Sequence, residues 1–425
     1  MPLADTLEKL YARRRFGIRP GIDRVRCLLE RLGHPERAFP CIHVVGTNGK
    51  GSTSAFLSSI LGSAGYRTAL FTSPHLISFT ERFRINDRDI VQERLMPLLD
   101  TVLAHAPAEA TFFEIVTALG AVCFAEERVD IAVMEAGMGG RSDATAAMPG
   151  MMTVITPIAL DHGDYLGATL AEIATEKAGI AEPGTPVVTA HQAPEVQEVI
   201  AHRAAAGANR VVVAGRDFTS AWNQGGTLAY RGIHATLSGI TTGIPGRYQA
   251  ENAALALAAA EVVGSMGMPV SQAALSDGLK AARWPGRMEL VAGQPPLLLD
   301  GAHNPAGAAA LAAALDDYPH RRLLLVAGLM ADKDIAGIFA PLARKIHLAF
   351  AVTPAVERAL DDATLAGILQ GLGVEAMACG DVASGITAAR RAAGADDLIL
   401  ICGSLFTVGE AKAWLTQTRF EGIRG

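Results

Sequence analysis

The stretch Val44-Val45-Gly46-Thr47-Asn48-Gly49-Lys50-Gly51-Ser52-Thr53 limits what this chain can fold into more than any other part of it. The apolar run before it, residues 42–45, reads as a strand. A glycine-rich turn with one lysine follows, and Ser52-Thr53-Ser54 opens a segment of helical composition over residues 55–64. A strand, a loop of backbone N–H groups and a helix N-terminus, in that order, make an anion site, and a lysine within it adds a point charge for outer phosphates. A hydroxyl after the lysine suits a Mg²⁺-bound nucleotide. The expectation is an α/β fold that grips a nucleoside triphosphate through Thr47, Asn48, Gly49, Lys50, Gly51 and Ser52. The stretch also departs from the usual G-x-x-x-x-G-K-[ST] spacing. The residue five before Gly49 is Val44, Gly51 follows the lysine, and the hydroxyl arrives one place late, at Ser52.

The rest of the chain extends the same alternation. Strand-like runs at residues 67–71, 131–134, 152–155 and 186–189 are separated by helix-like runs at 90–104, 113–126 and 170–178, which predicts a mainly parallel sheet. Between residues 210 and 240 the texture changes. Short β-like runs at 211–213, 227–230 and 233–237, with Gly and Asn turns, predict a small antiparallel excursion. Residues 248–266 read as an alanine-rich helix. The turn-rich stretch 284–296, containing Trp284-Pro285-Gly286 and Gly293-Gln294-Pro295-Pro296, is the expected junction, with domains at 1–290 and 291–425. Beyond it, strands at 297–299, 323–327, 348–352 and 398–401 predict a second α/β unit. A chain of 425 residues, half of them hydrophobic, is long enough for two such units. A net charge of -6 gives no electrostatic case for nucleic acid. No apolar run reaches the ~18 residues a membrane span needs, and the first fifteen residues lack the apolar region of a signal peptide. The five cysteines are scattered without a C-x-x-C pair, as free thiols of a reducing cytoplasm would be.

Polar residues collect at the predicted strand ends, where open α/β sheets place ligands. Glu135 ends one strand and precedes Ala136-Gly137-Met138-Gly139-Gly140, which suits a Mg²⁺ ligand. Asp161-His162 follows another strand. Beside Glu135, His162 becomes a candidate ligand that Mn²⁺ would tolerate as well. Ser73, in Thr72-Ser73-Pro74-His75, is placed either to help hold a cation or simply to start a turn, and spacing does not decide between them. Lys177 sits at a helix end, where a lysine ordinarily offsets the helix dipole. Across the junction, Asp300-Gly301-Ala302-His303-Asn304-Pro305, Asp332-Lys333-Asp334 and Cys402-Gly403-Ser404 also follow predicted strands. Three polar tips on one sheet edge favour a ligand site facing the first domain.

Taken in order, these segments resemble the bacterial folylpolyglutamate synthase/dihydrofolate synthase group of the Mur ligase superfamily. The resemblance is carried by GTNGKGS (46–52), TSPHL (72–76) with Glu81-Arg82, TFFE (111–114), EAGMGGRSDAT (135–145), Asp161-His162, EKAGI (176–180), GRYQAEN (246–252), PGRME (285–289), DGAHNP (300–305), DKD (332–334) and GSL (403–405). It implies a P-loop, Mur-ligase-type central domain and a smaller Rossmann-like C-terminal domain. It implies ATP phosphates on Lys50 and its loop, with Asn252, Arg287 and Asp300 at the nucleotide. Ser73 and Glu135 are implied at a first Mg²⁺. His162 and Lys177, the latter as a carbamate, are implied at a second. A monovalent cation is a further expectation. His303, Arg82 and Ser404 are expected near the reacting centre or the incoming glutamate. Thr111, Phe113, Asp143 and Ala144 match a pterin-site set. Two positions depart from the family pattern: Ala146 stands where Asn is usual, and Asp87 stands where an I-N-G turn has Gly.

The chemistry implied is activation of a carboxylate by ATP as an acyl phosphate, followed by attack of the amino group of L-glutamate. The expected partners are dihydropteroate or a reduced folate, L-glutamate and ATP. Neither nucleic acid nor a membrane is expected, and a cytoplasmic monomer is. The rival expectations are three. A cell-wall Mur ligase carries a domain of roughly a hundred residues before the phosphate loop, a typical domain size, whereas Gly46 lies near the start. A non-catalytic nucleotide-binding protein would bind ATP and release no phosphate. A kinase would add phosphate rather than glutamate.

Overall fold

Five consecutive buried residues, Cys41–Val45, form β1 in the middle of the first sheet. A strand covered on both faces has no polar alternation, which is why this run is so apolar. His43 is the exception, and its Nε2 meets the Met148 carbonyl at 3.1 Å. The computed structural model describes residues 3–13, 21–161, 163–223 and 225–422. Around β1 run β2 (Thr68–Phe71), β3 (Phe83–Ile85), β4 (Arg88–Asp89), β5 (Ile131–Glu135), β6 (Gly150–Ile155), β7 (Val187–Thr189) and β8 (Val211–Val213). Their order is β4-β3-β2-β5-β1-β6-β7-β8. Pairing is parallel from β2 to β8, and β3 and β4 add an antiparallel edge. The β3–β4 turn holds Asn86 and Asp87 at φ 49° and 59°. Left-handed pairs of this kind favour Asn-Gly and tolerate Asp, so the turn accommodates the departure at Asp87.

The helix Lys50–Ser63 follows β1 and is buried from Ser52 to Leu61. It lies between the sheet and the helix Gln249–Ser265, whose buried alanines at 253, 254, 256, 258, 259 and 260 leave room for close approach.

A small antiparallel sheet, β9 (Thr219–Asn223), β10 (Thr227–Arg231) and β11 (Thr236–Ile240), matches the expected excursion but not its membership. Residues 211–213 instead pair parallel with β7 as the last strand of the main sheet. Three valines carry no signal for strand direction, which the crossover helix Pro194–Ala206 sets. Residues 233–235 form a turn, and the strand begins at Thr236. The unforeseen β9 is polar and half-exposed, so it lacks an apolar signature.

This small sheet is anchored by one buried carboxylate. Glu261 accepts hydrogen bonds from Tyr230 Oη–H (2.6 Å) and from the N–H groups of Ile233 (3.1 Å), His234 (2.8 Å) and Ala235 (2.6 Å). Burial and this carboxylate raise the Tyr230 phenol well above its ordinary range. Glu261→Ala strands all of these donors, so it should cost about 3 kcal/mol of stability. Urea denaturation checks the loss, and a shift under 1 kcal/mol would mean water replaces the carboxylate.

The second sheet holds β12 (Glu289–Val291), β13 (Leu297–Leu299), β14 (Leu323–Ala327), β15 (Ile346–Ala351), β16 (Ala376–Ala378) and β17 (Leu398–Cys402) in the order β12-β13-β17-β14-β15-β16. Only β12 is antiparallel. It lies inside the turn-rich stretch expected as a junction, and it pairs with β13. The short β16 is two-thirds exposed and was not foreseen. The C-terminal ends of the central strands of both sheets face each other. There Asn48 and Asn304 exchange reciprocal side-chain amide hydrogen bonds of 3.1 and 2.9 Å. Lys333 Nζ also reaches Asp161 at 2.8 Å.

Candidate active site

The site begins with the loop after β1. Gly46 has φ 141°, and a Cβ there would sit 2.0 Å from Thr156 Oγ1 and 2.8 Å from its carbonyl oxygen. Only glycine permits this approach to the β6 end. Gly49 starts the helix at φ 87° with Asn252 against it, and Asn252 is steadied by Gln249 at 2.8 Å. Thr47 Oγ1 donates to the Ala159 carbonyl at 3.0 Å. Lys50 Nζ is folded onto its own loop, 3.3 Å from the Gly46 and 3.2 Å from the Thr47 carbonyl. Ser52 is buried in the first helical turn.

The oddity at Gly51 has a tertiary cause. The Trp284 indole covers the first helical turn, and a Cβ at position 51 would lie 2.8 Å from its Nε1. Nothing near Gly51 in sequence signals this contact. Gly51→Ala should displace the ring and cost about 1–3 kcal/mol. Thermal melts and Trp fluorescence check this, and an unchanged Tm and emission would contradict the contact.

Glu135 closes β5 and is 5% exposed. Its Oε2 accepts the Ser73 N–H at 3.3 Å. Burial pushes its pKa up to about 7, against the pull of Lys50, the Ser73 N–H, Arg287 and Arg82. A carboxylate so poorly satisfied in a buried cleft suits a cation. Among the described residues no three His, Cys, Asp or Glu side chains cluster for a metal. Mg²⁺ takes one or two protein oxygens and fills its octahedron with water and phosphate. Ser73 and Glu135 line a cleft of roughly 130 Å³ together with Gly51, Trp284, Arg287 and Lys412.

Lys177 is 3% exposed near the end of the helix Leu170–Ala178, and its Nζ donates to the Met138 carbonyl at 2.7 Å. Burial, then Lys50, pushes its pKa down to about 7. His162 lies outside the described residues. The Met138 loop also meets the pterin candidates. Asp143 Oδ2 accepts the Met138 N–H at 3.0 Å, and its Oδ1 accepts Thr145 N–H and Oγ–H at 3.0 and 2.8 Å. Phe113 packs its ring over Gly137, and Ala144 is buried behind Asp143. Thr111 caps the helix Phe112–Glu126 in a reciprocal box with Glu114. One glycine-rich loop therefore joins the metal and pterin candidates. Ala146, where the family has Asn, is only partly buried against the core beside this loop.

The second unit contributes unevenly. His303 lies between the units, with Nδ1 donating to the Gly301 carbonyl at 2.8 Å and Nε2 3.8 Å from Asp161. Asp300 is buried and accepts from Tyr248 Oη–H, Met288 N–H and Ala302 N–H at 2.7, 3.0 and 2.9 Å. Arg287 packs over Gly301 and donates to the Gly286 carbonyl at 3.0 Å. Ser404 caps the helix Leu405–Thr416 and reaches the Gly328 carbonyl at 3.1 Å, so its hydroxyl already serves the fold. Arg82 does not line the cleft. It is 1% exposed behind it, 5.3 Å over the Phe112 ring. Sequence reasoning missed Asp161 as a hub, since Lys333, His303 and Asn304 all approach its carboxylate. The sole sequence signal was its place beside His162.

Comparison with known proteins agrees with this geometry. Residues 44–260 match the Mur ligase middle domain, and residues 286–405 match the Mur ligase glutamate ligase domain. The chain is 36% identical to the dihydrofolate synthase/folylpolyglutamate synthase of Bacillus subtilis, over 96% of this chain and 98% of that one. It is 37% identical to a probable bifunctional folylpolyglutamate synthase/dihydropteroate synthase of Halobacterium salinarum, over 95% of this chain, and spans 51% of that longer relative. Its fold matches E. coli FolC in complex with DHPP and ADP at TM-score 0.89 and 31% identity, covering 97% of this chain and 98% of that one. It also matches the bifunctional enzyme of Yersinia pestis complexed with AMPPNP and Mn at TM-score 0.88 and 32% identity, over 98% of both chains. The chain belongs to the Mur ligase family, as a member of its dihydrofolate synthase/folylpolyglutamate synthase group.

Proposed function

We infer that this chain is an ATP-dependent ligase that adds L-glutamate to dihydropteroate and to reduced folates, giving dihydrofolate and folylpolyglutamates. The observation that carries this reading is the reciprocal Asn48–Asn304 amide pair. It joins the phosphate loop to the strand tip of the glutamate-ligase unit, so transferable phosphate and acceptor share one cleft. The substrate carboxylate attacks the γ-phosphate, ADP leaves, and the amine of glutamate displaces phosphate from the acyl carbon. Lys50 withdraws from its loop carbonyls to neutralise phosphate oxygens, and the N–H groups at the helix start hold them. Bound Mg²⁺ supplies charge neutralisation and orientation for in-line transfer.

Ser73 and Glu135 would hold the first metal. Lys177, as a carbamate, and His162 would serve a second. A near-neutral buried amine is the form that reacts with CO₂, and the resulting carbamate replaces a cation with oxygen ligands. Asn252, Arg287 and Asp300 face the nucleotide in this reading, His303 the reacting centre, and Phe113 with Asp143 the pterin. The stretch 284–296 is the hinge on which the units close and exclude water from the acyl phosphate.

The deciding experiment incubates the protein with ATP, Mg²⁺, L-glutamate and either dihydropteroate or tetrahydrofolate, and weighs the products. A gain of one or more glutamyl units with equimolar ADP is expected. A product that gains phosphate, or no product at all, refutes the ligase.

A further inference from the structure

Beyond the helix Leu405–Thr416 the chain turns back onto residues 74–79, which belong to the first sheet's side of the cleft. The Glu421 carboxylate accepts from Ser78 Oγ–H at 3.1 Å and from Phe79 N–H at 2.7 Å. Its own N–H donates to the Ile77 carbonyl at 3.1 Å. The Gly422 carbonyl lies 3.0 Å from His75 Nε2, and His75 Nδ1 lies 2.9 Å from Arg82 Nε. An arginine Nε–H only donates, so Nδ1 is the acceptor and the ring proton sits on Nε2, facing Gly422.

The same loop is gripped from two other directions. The Glu81 carboxylate accepts the N–H groups of Leu76, Ile77 and Ser78 at 2.7, 3.0 and 3.0 Å. The Leu76 side chain is buried in the core formed by the second sheet and its helices. Its carbonyl rests on Gly409, where a Cβ would lie 2.1 Å from that oxygen. A loop that starts at Ser73 and leads into Arg82 thus bridges the units, with Phe79 buried in the core of the first and Leu76 in that of the second.

We propose that residues 420–422 are a strap on the Pro74-to-Phe79 loop, and that Glu421 and His75 are positioning residues which set Ser73 in the cleft and Arg82 behind it. The inference rests on the reading that Ser73 serves the ligase reaction. Glu421 does not line the cleft, and both ring nitrogens of His75 are already engaged by Gly422 and Arg82. They act by denying the loop the freedom to drift when the cleft opens, so that closure restores one geometry. An acidic side chain on backbone and hydroxyl donors suits this task, because it holds two groups at once and releases neither to water cheaply.

The test uses the full chain with Glu421→Ala and Glu421→Gln, read by hydrogen exchange without ligands and by steady-state kinetics with ATP, L-glutamate and the pterin acceptor each varied. Amide protection at residues 76–79 should fall roughly tenfold in Glu421→Ala, while β1 and β5 keep theirs. The KM values for ATP and L-glutamate should rise about fivefold with a smaller change in kcat, and Glu421→Gln should recover part of both effects. Unchanged protection overturns the strap. Lost protection with wild-type kinetics overturns the positioning role. Ser73→Ala tests the underlying reading separately: wild-type kinetics would overturn that reading, whatever the exchange data show for Glu421.

Discussion

Lys50→Ala should abolish the ADP release that depends on pteroate and glutamate, with kcat lower by at least ~10³-fold. The size follows from where the charge sits. Lys50 lies in the first turn of the helix Lys50–Ser63, and its field reaches both Glu135 and Lys177. Among the described residues its Nζ is hydrogen-bonded to the Gly46 and Thr47 carbonyls. Phosphate oxygens therefore gain it at small cost, and nothing else in the loop replaces it. The fold should survive, since alanine is a good helix residue and Gly46 and Gly49 keep the turn. A melt near the wild-type temperature with lost turnover is the expected pair of results. Retained turnover would sink the phosphate-loop assignment.

Lys177→Ala should cost roughly 10³-fold in kcat, the scale of several kcal/mol of lost metal-assisted stabilisation. Lys177→Arg separates the causes. It keeps a cation at the helix end but cannot form a carbamate, so it should be as impaired as the alanine variant. A wild-type kcat in Lys177→Arg would show that the charge alone matters. The pH response has a definite sign. With its pKa pushed down to about 7, the amine is increasingly protonated as pH falls below that value and increasingly neutral above it. Only the neutral amine adds CO₂ and releases a proton. Under CO₂-depleted conditions, activity should fall toward pH 6 and be restored by added bicarbonate in the wild type. Neither variant should respond. Intact-mass measurement of the wild type provides a second readout, as a CO₂ adduct absent from Lys177→Arg.

Much of the fold was legible because its signals are local. The apolar runs at β1, β5 and β14 are buried on both faces, and their length and neighbouring turns identify them without further context. Where pattern and orientation separate, the reading failed. Residues 211–213 were visible as a strand, yet their partner was not, because pairing is a contact with β7 rather than a property of three valines. The strands β9 and β16 were invisible for the opposite reason, since they hide too little apolar surface to leave a pattern.

The candidate site divides in the same way. The glycines at 46 and 49, the lysine between loop and helix, and the carboxylate at a strand tip were fixed by the sequence itself, because strand, turn and helix are contiguous and their chemistry is set within ten residues. The tertiary structure decided what no short window contains. It brought Trp284 over Gly51, Asn304 to Asn48, and Glu421 to Ser78. It also buried Glu135 and Lys177, moving a carboxylate up and an amine down until both titrate near neutrality. Desolvation depends on everything packed around a group, and chain segments hundreds of residues apart do that packing, so the titration of Glu135 and Lys177 belongs to the fold even though both residues could be named from the sequence.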